Sequence, residues 1–369
     1  MRLTCTIATH IGGTWAGYLM TKFKGREDLI MRIGQGANSY QWNDRWAKLP
    51  VTESARNGWA HHGVAVTGSG EVITCHPGEP TMMLLDQKGS VQRTWNLPVA
   101  DAHGITLVEE GGVESLWIAD NGRKRQHGLG YQYPLSDGPL AGQVIKTSLN
   151  GEVLAKLPKP DIEVYRQGNY SPTLVAVNEE ALGGNGDVWV ADCYGESYVH
   201  RFGKSGDYLS SINGEEGAGR FNCPHGIFID RRKDGPELYV ADRTNHRVQV
   251  YDMEGRFKRS FGEDFLSSPS GFVTDGDLMV IAELRARLAV IDRDDNLVCY
   301  LGGNEGVCLN EGWPNGKNQG GELIPTGLLQ PGLFNSAHGM AVDKQGNLFV
   351  AEWLIGGRFI KLENLRPPG

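Results

Sequence analysis

The sequence predicts an all-β fold, a six-bladed β-propeller, and three observations support this prediction. Its 51 glycines separate short runs of Val, Ile, Leu, Phe, Tyr and Trp, which is typical of many short strands joined by tight turns. Sustained helical periodicity is hard to find after residue 60. One four-strand unit also recurs along the chain, as in repeat architectures.

The repeats set the expected blades. The clearest unit runs from Cys223 to Gly262 and reads as four short strands separated by turns, which is one propeller blade. The last unit stops after its third strand, whereas residues 28–39 resemble the fourth strands of other units. We therefore expect one propeller domain over residues 1–369, with the N-terminal strand closing the last blade. Blades are expected to start near residues 62, 103, 171, 224, 268 and 337.

Composition and charge limit the class of partner. The chain has 36 Lys and Arg against 44 Asp and Glu, a net charge of −8 and no long basic run, so we expect no nucleic-acid partner. It has no run of about 18 apolar residues and its first residues do not resemble a signal peptide, so we expect no membrane association. The six cysteines form no CxxC pair, and we interpret them as reduced thiols in a cytoplasmic protein.

Four histidines share one position in the repeat. The first strand of each blade lines a propeller channel, so residues that begin these strands converge on the axis; we call this the axial position. The histidines there are His62, His103, His225 and His338, each followed by glycine, and the other two units carry Thr173 and Ser270. Converging imidazoles suit a divalent transition metal, above all zinc. Alternatively, each histidine caps its strand by a hydrogen bond to a neighbouring blade.

The turn after the second strand opens at the same end of the channel. It presents Tyr194 in VADCYG and Arg243 in VADRTN. Units with VAD, a polar turn and RVQVYD resemble NHL repeats, and this similarity extends over nearly the whole chain from Gly58 onward. The order of axial histidines, tyrosine and arginine resembles the catalytic core of the peptidyl-α-hydroxyglycine α-amidating lyases, which are propellers of this type.

The resemblance implies roles for particular residues. It assigns zinc binding to His103, His225 and His338, the general base to Tyr194, and a position close to the metal to Arg243. His62 is an additional axial histidine, which we include among the expected ligands. Two further departures are Ser336 in place of a methionine, and Gly339 in place of an aspartate that helps to hold calcium in that family. The glycine argues against calcium in this chain.

The expected function is that of a metal-dependent lyase acting on a small hydroxylated carbonyl or amide compound. A divalent metal lowers the pKa of a bound hydroxyl, and the charge of Arg243 would favour the phenolate of Tyr194, which could then act as a base. An anionic group on the substrate could meet Arg243. Further cations that could extend an anion-binding rim are Arg123, Lys124, Arg125, Arg285 and Arg287.

Other interpretations stay open at this point. A gluconolactonase-like hydrolase would use a calcium-type centre, to which Glu283 and Glu352 could contribute. A non-enzymatic NHL scaffold would bind no metal. Tyr194 could be a rim residue, and Arg243 could form a salt bridge to Asp242 or Asp192.

Overall fold

Six β-sheets surround a channel in the computed structural model, which describes residues 6–11, 14–23, 26–36, 38–133 and 141–366. The first strands of neighbouring blades contact one another in a closed ring, from blade 1 through blade 6 and back to blade 1. Within each blade, consecutive strands pair in antiparallel order. The predicted all-β, six-bladed propeller is therefore confirmed.

Each blade extends outward from the channel, beginning with its first strand. Blade 1 contains Ala65–Val66, Val72–Cys75, Thr81–Leu85 and Val91–Asn96; blade 2 contains Ala102–Glu110, Val113–Asp120, Gln143–Ser148 and Val153–Leu157. Blade 3 contains Leu174–Val177, Val188–Asp192, Tyr198–Phe202 and Tyr208–Ile212; blade 4 contains Pro224–Asp230, Glu237–Asp242, Arg247–Tyr251 and Phe257–Phe261. Blade 5 contains Pro269–Asp275, Leu278–Glu283, Arg287–Ile291 and Leu297–Leu301; blade 6 begins with Ala337–Val342, Leu348–Glu352 and Arg358–Asn364.

Helices in the described residues are short. The α-helix Glu53–Asn57 begins at Thr52, whose side chain accepts a hydrogen bond from the Ala55 amide. The 3-10 turns are His127–Leu129, Glu163–Arg166, Glu180–Leu182, Arg243–Asn245 and Glu305–Leu309, and a small hairpin pairs Gly316–Lys317 with Leu323–Ile324. None of these described helices has the length and apolar character needed to cross a membrane.

The N-terminal region closes blade 6, as expected, but with a different strand. Asn38–Asn43 pairs with Arg358–Asn364 and so forms the fourth strand. The expected 28–39 segment falls largely in Arg26–Gln35, which pairs on the outer side of Asn38–Asn43. Thr14–Phe23 and Thr6–Ile11 follow further out in the same sheet. Both inner strands bury apolar side chains, so the hydrophobic pattern alone did not distinguish them.

Acidic residues at the ends of second strands fix the segments that lead into the first strands. Asp192 accepts a hydrogen bond from the Ser171 amide at 2.7 Å, and Asp242 accepts one from the Asn222 amide at 2.7 Å. The same role is played by Asp120, Glu283 and Glu352 in blades 2, 5 and 6. The acid of the VAD and IAE segments thus anchors each axial position.

Two of the cysteines are joined, which corrects the expectation of six reduced thiols. Cys193 follows the second strand of blade 3, Cys223 precedes the first strand of blade 4, and the two form a disulfide. Their separation of 30 residues hid this proximity, because the contact arises only when neighbouring blades pack. Cys75, Cys299 and Cys308 are free, and Cys5 lies outside the described residues. Disulfides persist mainly in oxidising compartments. The cysteines therefore no longer support the expected cytoplasmic location.

Candidate metal and substrate site

A β-bulge marks most of the axial positions. In blades 2, 4, 5 and 6 the pairing of the first two strands skips one residue, and the residue skipped is His103, His225, Ser270 or His338. Because a bulged residue leaves the strand pairing, its side chain can be turned out of the sheet. The bulge therefore explains how these side chains are directed into the channel.

Close contacts between blades explain why a glycine follows each axial histidine. A Cβ atom on Gly226 would lie 2.4 Å from the carbonyl oxygen of Ser270 in the next blade. Gly104 makes the same approach to Thr173, and Gly339 to His62, each at 2.4 Å. No side chain fits at that distance from a backbone oxygen, so the His-Gly pairs reflect close packing of the blades around the channel.

Backbone carbonyls of the neighbouring blades orient two of the imidazoles. His103 Nδ1 lies 2.7 Å from the Thr173 carbonyl oxygen, and His225 Nδ1 lies 2.8 Å from that of Ser270. A carbonyl only accepts, so each Nδ1 carries the proton and each Nε2 is left with a lone pair. The hydrogen bond to a neighbouring blade is therefore present, and it leaves Nε2 available for another partner.

Three of the imidazoles form a compact triangle. The rings belong to His103, His225 and His338, and their centroids are 4.7 to 4.9 Å apart. Because they come from alternate blades, they are arranged with nearly threefold symmetry about the axis. His103 Nε2 and His225 Nε2 lie 3.3 Å apart, and both ring nitrogens of His338 are buried without a hydrogen-bond partner. Burial lowers the pKa of His103 to about 3 and that of His338 well below its usual value, so these rings are neutral at neutral pH.

His61 joins this cluster in the structure, whereas His62 does not. One ring nitrogen from each of His61, His103 and His338 lies within 4.8 Å of the other two. The ring of His62 instead stacks on Phe359, at 5.7 Å between centroids. We therefore replace His62 by His61 among the candidate ligands. The reason is positional, because His62 precedes its strand by three residues and belongs to the other set of alternate blades.

Tyr194 and Arg243 lie at the cluster, as the resemblance implied. Tyr194 Oη is 3.1 Å from His225 Nε2 and 3.3 Å from His103 Nε2, and Arg243 Nη2 donates to it at 3.3 Å. Burial raises the pKa of the Tyr194 phenol, although Arg243 acts in the opposite direction. Arg243 alone therefore does not make Tyr194 a phenolate. Asp242 pairs with Arg247, at 2.8 Å between Arg247 Nε and Asp242 Oδ2.

Aromatic and cationic side chains surround the opening above the cluster, which we call the mouth. Its lining consists of Trp59, His61, Asp101, Arg123, Lys124, Arg125, Tyr133 and Trp353. The Arg125 guanidinium packs over the rings of Trp59, Tyr133 and Trp353, at 4.5 to 5.9 Å from their centroids. The Arg123–Arg125 segment thus reaches the site. Tyr133 directly precedes residues 134–140, which lie outside the described part of the chain.

The other rim candidates lie elsewhere. Arg287 pairs with Glu283 and with Glu305, and Arg358 pairs with Glu352. Glu283 and Glu352 also accept backbone hydrogen bonds, so they belong to the blade scaffold and not to the mouth. Arg285 is exposed on the turn beside them. Glu283 and Glu352, the two carboxylates considered for a calcium-type centre, therefore already have partners within the blades.

Five mouth residues were missed by sequence analysis: Trp59, His61, Asp101, Tyr133 and Trp353. Trp353 directly follows the acid of its second strand, the turn that delivers Tyr194 and Arg243 in other blades, so the repeat register could have identified it. Asp101 lies two residues before His103, but the sequence does not show that its side chain lines the mouth. Trp59 packs on Trp353 at 5.3 Å between ring centroids, a contact between blades 1 and 6.

Comparison with known proteins finds similarity to NHL-repeat proteins. A family model described as NHL repeat matches residues 221–251. Human NHL repeat-containing protein 3 is 27% identical over 257 residues, which cover 63% of this chain and 68% of that protein. A Caenorhabditis elegans protein described as a probable peptidyl-alpha-hydroxyglycine alpha-amidating lyase is 24% identical over 257 residues, which cover 68% of this chain and 60% of the relative.

A solved structure described as streptogramin B lyase shares the fold. The superposition has a TM-score of 0.53 and covers 89% of this chain and 99% of that structure, at 13% sequence identity. This likeness concerns the fold alone. The chain is thus a six-bladed propeller with one segment that matches the NHL repeat, and its sequence is distantly similar to NHL repeat-containing protein 3 and to a probable amidating lyase.

Proposed function

We propose that this propeller is a metal-dependent lyase that cleaves a small hydroxylated carbonyl or amide compound. The observation that carries the proposal is the triangle of buried imidazoles from blades 2, 4 and 6, with Tyr194 Oη at hydrogen-bond distance from two of them. The distant homology to a protein described as an amidating lyase supports the same reaction class.

The residues present fit a divalent metal, with zinc as the first choice. Nitrogens that bind one zinc ion tetrahedrally lie about 3.4 Å apart, and the Nε2 atoms of His103 and His225 lie 3.3 Å apart. The ring nitrogens of His338 are buried without a hydrogen-bond partner, and a bound metal ion would satisfy one of them. Bound there by His103, His225 and His338, the ion would supply Lewis-acid stabilisation of a developing alkoxide.

Tyr194 is the residue placed to move the proton. Its hydroxyl lies among the imidazole nitrogens, where a substrate hydroxyl would also have to lie. The Tyr194 hydroxyl would first have to lose its proton to solvent, which the charge of a divalent ion held beside it would favour together with Arg243. In the proposed reaction the Tyr194 phenolate accepts the proton of the substrate hydroxyl, the bond from the same carbon to its nitrogen breaks, and a carbonyl forms. The proton then passes from Tyr194 to the departing nitrogen, so the phenolate is regenerated.

Arg243 would orient the substrate by its charge. Its Nη2 donates to Tyr194, while its Nε is buried without a partner and is therefore free to donate to an incoming oxygen. Arg123 also has a buried, unpartnered Nε and lines the mouth. A carboxylate next to the reacting carbon would meet both cations. We therefore favour N-acyl-α-hydroxyglycines and related hydroxy acids as substrates.

The direct test is a product assay with N-benzoyl-α-hydroxyglycine. The proposal predicts benzamide and glyoxylate in equal amounts, formed by zinc-loaded protein and lost after chelation. Tyr194→Phe should retain zinc and lose most of the activity. Turnover of a lactone instead, with calcium, would favour the hydrolase alternative. No metal uptake and no turnover would favour a binding scaffold.

A further inference from the structure

His61 approaches the imidazole triangle from a different direction. It lies in the loop between the helix Glu53–Asn57 and blade 1, and lines the mouth. The three axial histidines line a small cavity of about 50 Å³ on the channel side. His61 is also more exposed, at 16% for its side chain against 2% to 4% for the axial residues. It is therefore the histidine between the cluster and the mouth.

The ring of His61 nevertheless contacts the cluster. Its centroid lies 4.5 Å from that of His103 and 4.7 Å from that of His338. Its Nε2 lies 3.1 Å from Tyr194 Oη, the same hydroxyl that contacts His225 and His103. A fourth imidazole nitrogen is thus present on the open side of the triangle.

A buried carboxylate stands behind His61. Asp101 is 1% exposed, and its Oδ1 accepts a hydrogen bond from Lys124 Nζ at 2.9 Å. Its Oδ2 is buried without a hydrogen-bond partner and lies 3.7 Å from His61 Nδ1. The Asp101 amide donates to Asp120, which fixes the carboxylate in place. A carboxylate beside the distal nitrogen of an imidazole is the arrangement that orients histidine ligands of metals.

We propose that His61 is a displaceable fourth ligand of the metal centre, with the Asp101 carboxylate beside its distal ring nitrogen, that fills the mouth-facing position until substrate replaces it. This inference rests on the proposed function, because it needs the metal held by His103, His225 and His338. Those three residues belong to the strand scaffold, whereas His61 lies in a loop, so His61 is the ligand that can leave. A catalytic zinc centre has three protein ligands and one exchangeable position, and any molecule entering from the mouth meets His61 there.

The test uses cobalt(II) in place of zinc, since its visible absorption reports the ligand set. Azide, a small anion, serves as the probe for an open position. Wild-type protein, His61→Ala and Asp101→Asn are compared, and His62→Ala is the matched control because the ring of His62 stacks on Phe359. We expect His61→Ala to retain cobalt, to change its visible spectrum and to bind azide at least about tenfold more tightly than wild type, in line with the usual effect of ligand and outer-sphere changes. Added imidazole should restore the wild-type spectrum.

The outcomes separate this inference from the proposed function. Asp101→Asn should give a smaller shift in the same direction, and His62→Ala should match wild type. If His61→Ala and wild type share one spectrum and one azide affinity, His61 is not a ligand, and the proposed lyase site survives. If His61→Ala takes up no cobalt although it remains folded, His61 is a permanent ligand, and displacement is wrong. If wild type takes up no cobalt, both the inference and the proposed function fail.

Discussion

Alternate blades of this propeller do different work at the same structural position. Blades 2, 4 and 6 contribute an imidazole to the cluster, whereas blades 1, 3 and 5 carry His62, Thr173 and Ser270, and the ring of His62 stacks on Phe359. The second set supplies backbone carbonyls: those of Thr173 and Ser270 accept from His103 and His225, and that of His62 lies against Gly339. One set therefore forms the candidate site and the other holds it in position.

The largest expected effect comes from removing one imidazole. His225→Ala should weaken zinc binding by at least about 100-fold, because it removes one of the three axial ligands. Ser270→Ala changes the same position in the next blade and keeps the carbonyl that orients His225, so its zinc affinity should stay near that of wild type. Competition with a coloured chelator measures both. Equal affinities in the two variants would remove the distinction between the blade sets.

The second-largest expected effect is a loss of turnover while the metal is retained. Tyr194→Phe removes the hydroxyl that contacts the imidazoles but keeps the ring, so turnover should fall by about 100-fold or more while zinc content is unchanged. Steady-state rates and metal analysis on the same preparation check this. Normal turnover would show that the tyrosine is only a rim residue.

A pair of glycine variants tests the packing difference between the two sets. Gly226→Ala follows an axial histidine and would place a Cβ atom 2.4 Å from the Ser270 carbonyl oxygen. Gly271→Ala follows Ser270, where the nearest atom would be 3.7 Å away, an ordinary contact. We expect the first to lower the free energy of unfolding by about 2 to 3 kcal/mol and the second by less than about 1 kcal/mol. Chemical denaturation measures the free energy of unfolding of both variants. Similar losses in the two would contradict the packing argument.

The smallest effect concerns the Thr173 hydroxyl. Its Oγ1 donates to the His225 carbonyl oxygen at 2.8 Å, and Thr173→Val keeps the shape of the side chain while removing that hydrogen bond. The free energy of unfolding should fall by about 1 kcal/mol, with zinc binding retained because the Thr173 carbonyl still orients His103. Loss of zinc in this variant would mean that blade 3 contributes more than a carbonyl.

The repeat pattern was enough to predict the fold, the six blades and the N-terminal closure, because each strand carries its own periodicity and turn residues. The same pattern predicted that five site residues meet at one end of the channel: His103, His225, His338, Tyr194 and Arg243. The register could not show that the ring of His62 stacks on Phe359 while that of His61 reaches the cluster, because contacts between blades and loops decide this. His62 was therefore selected instead of His61.

Contacts between distant loops escaped the sequence for a related reason. The Cys193–Cys223 disulfide and the Asp101–His61 pair each join segments that meet only when neighbouring blades pack. The closing strand was misplaced because Asn38–Asn43 and Arg26–Gln35 both bury apolar residues, and only pairing with Arg358–Asn364 separates them.

The most direct test of the central claim is elemental analysis by plasma mass spectrometry of wild-type protein and of the double variant His103→Ala, His338→Ala. The proposed centre predicts close to one zinc or other divalent transition metal per wild-type chain, and almost none in the double variant. A wild-type protein that holds no transition metal when purified without chelator and takes up none on titration would contradict it. Equal metal content in both proteins would contradict it as well.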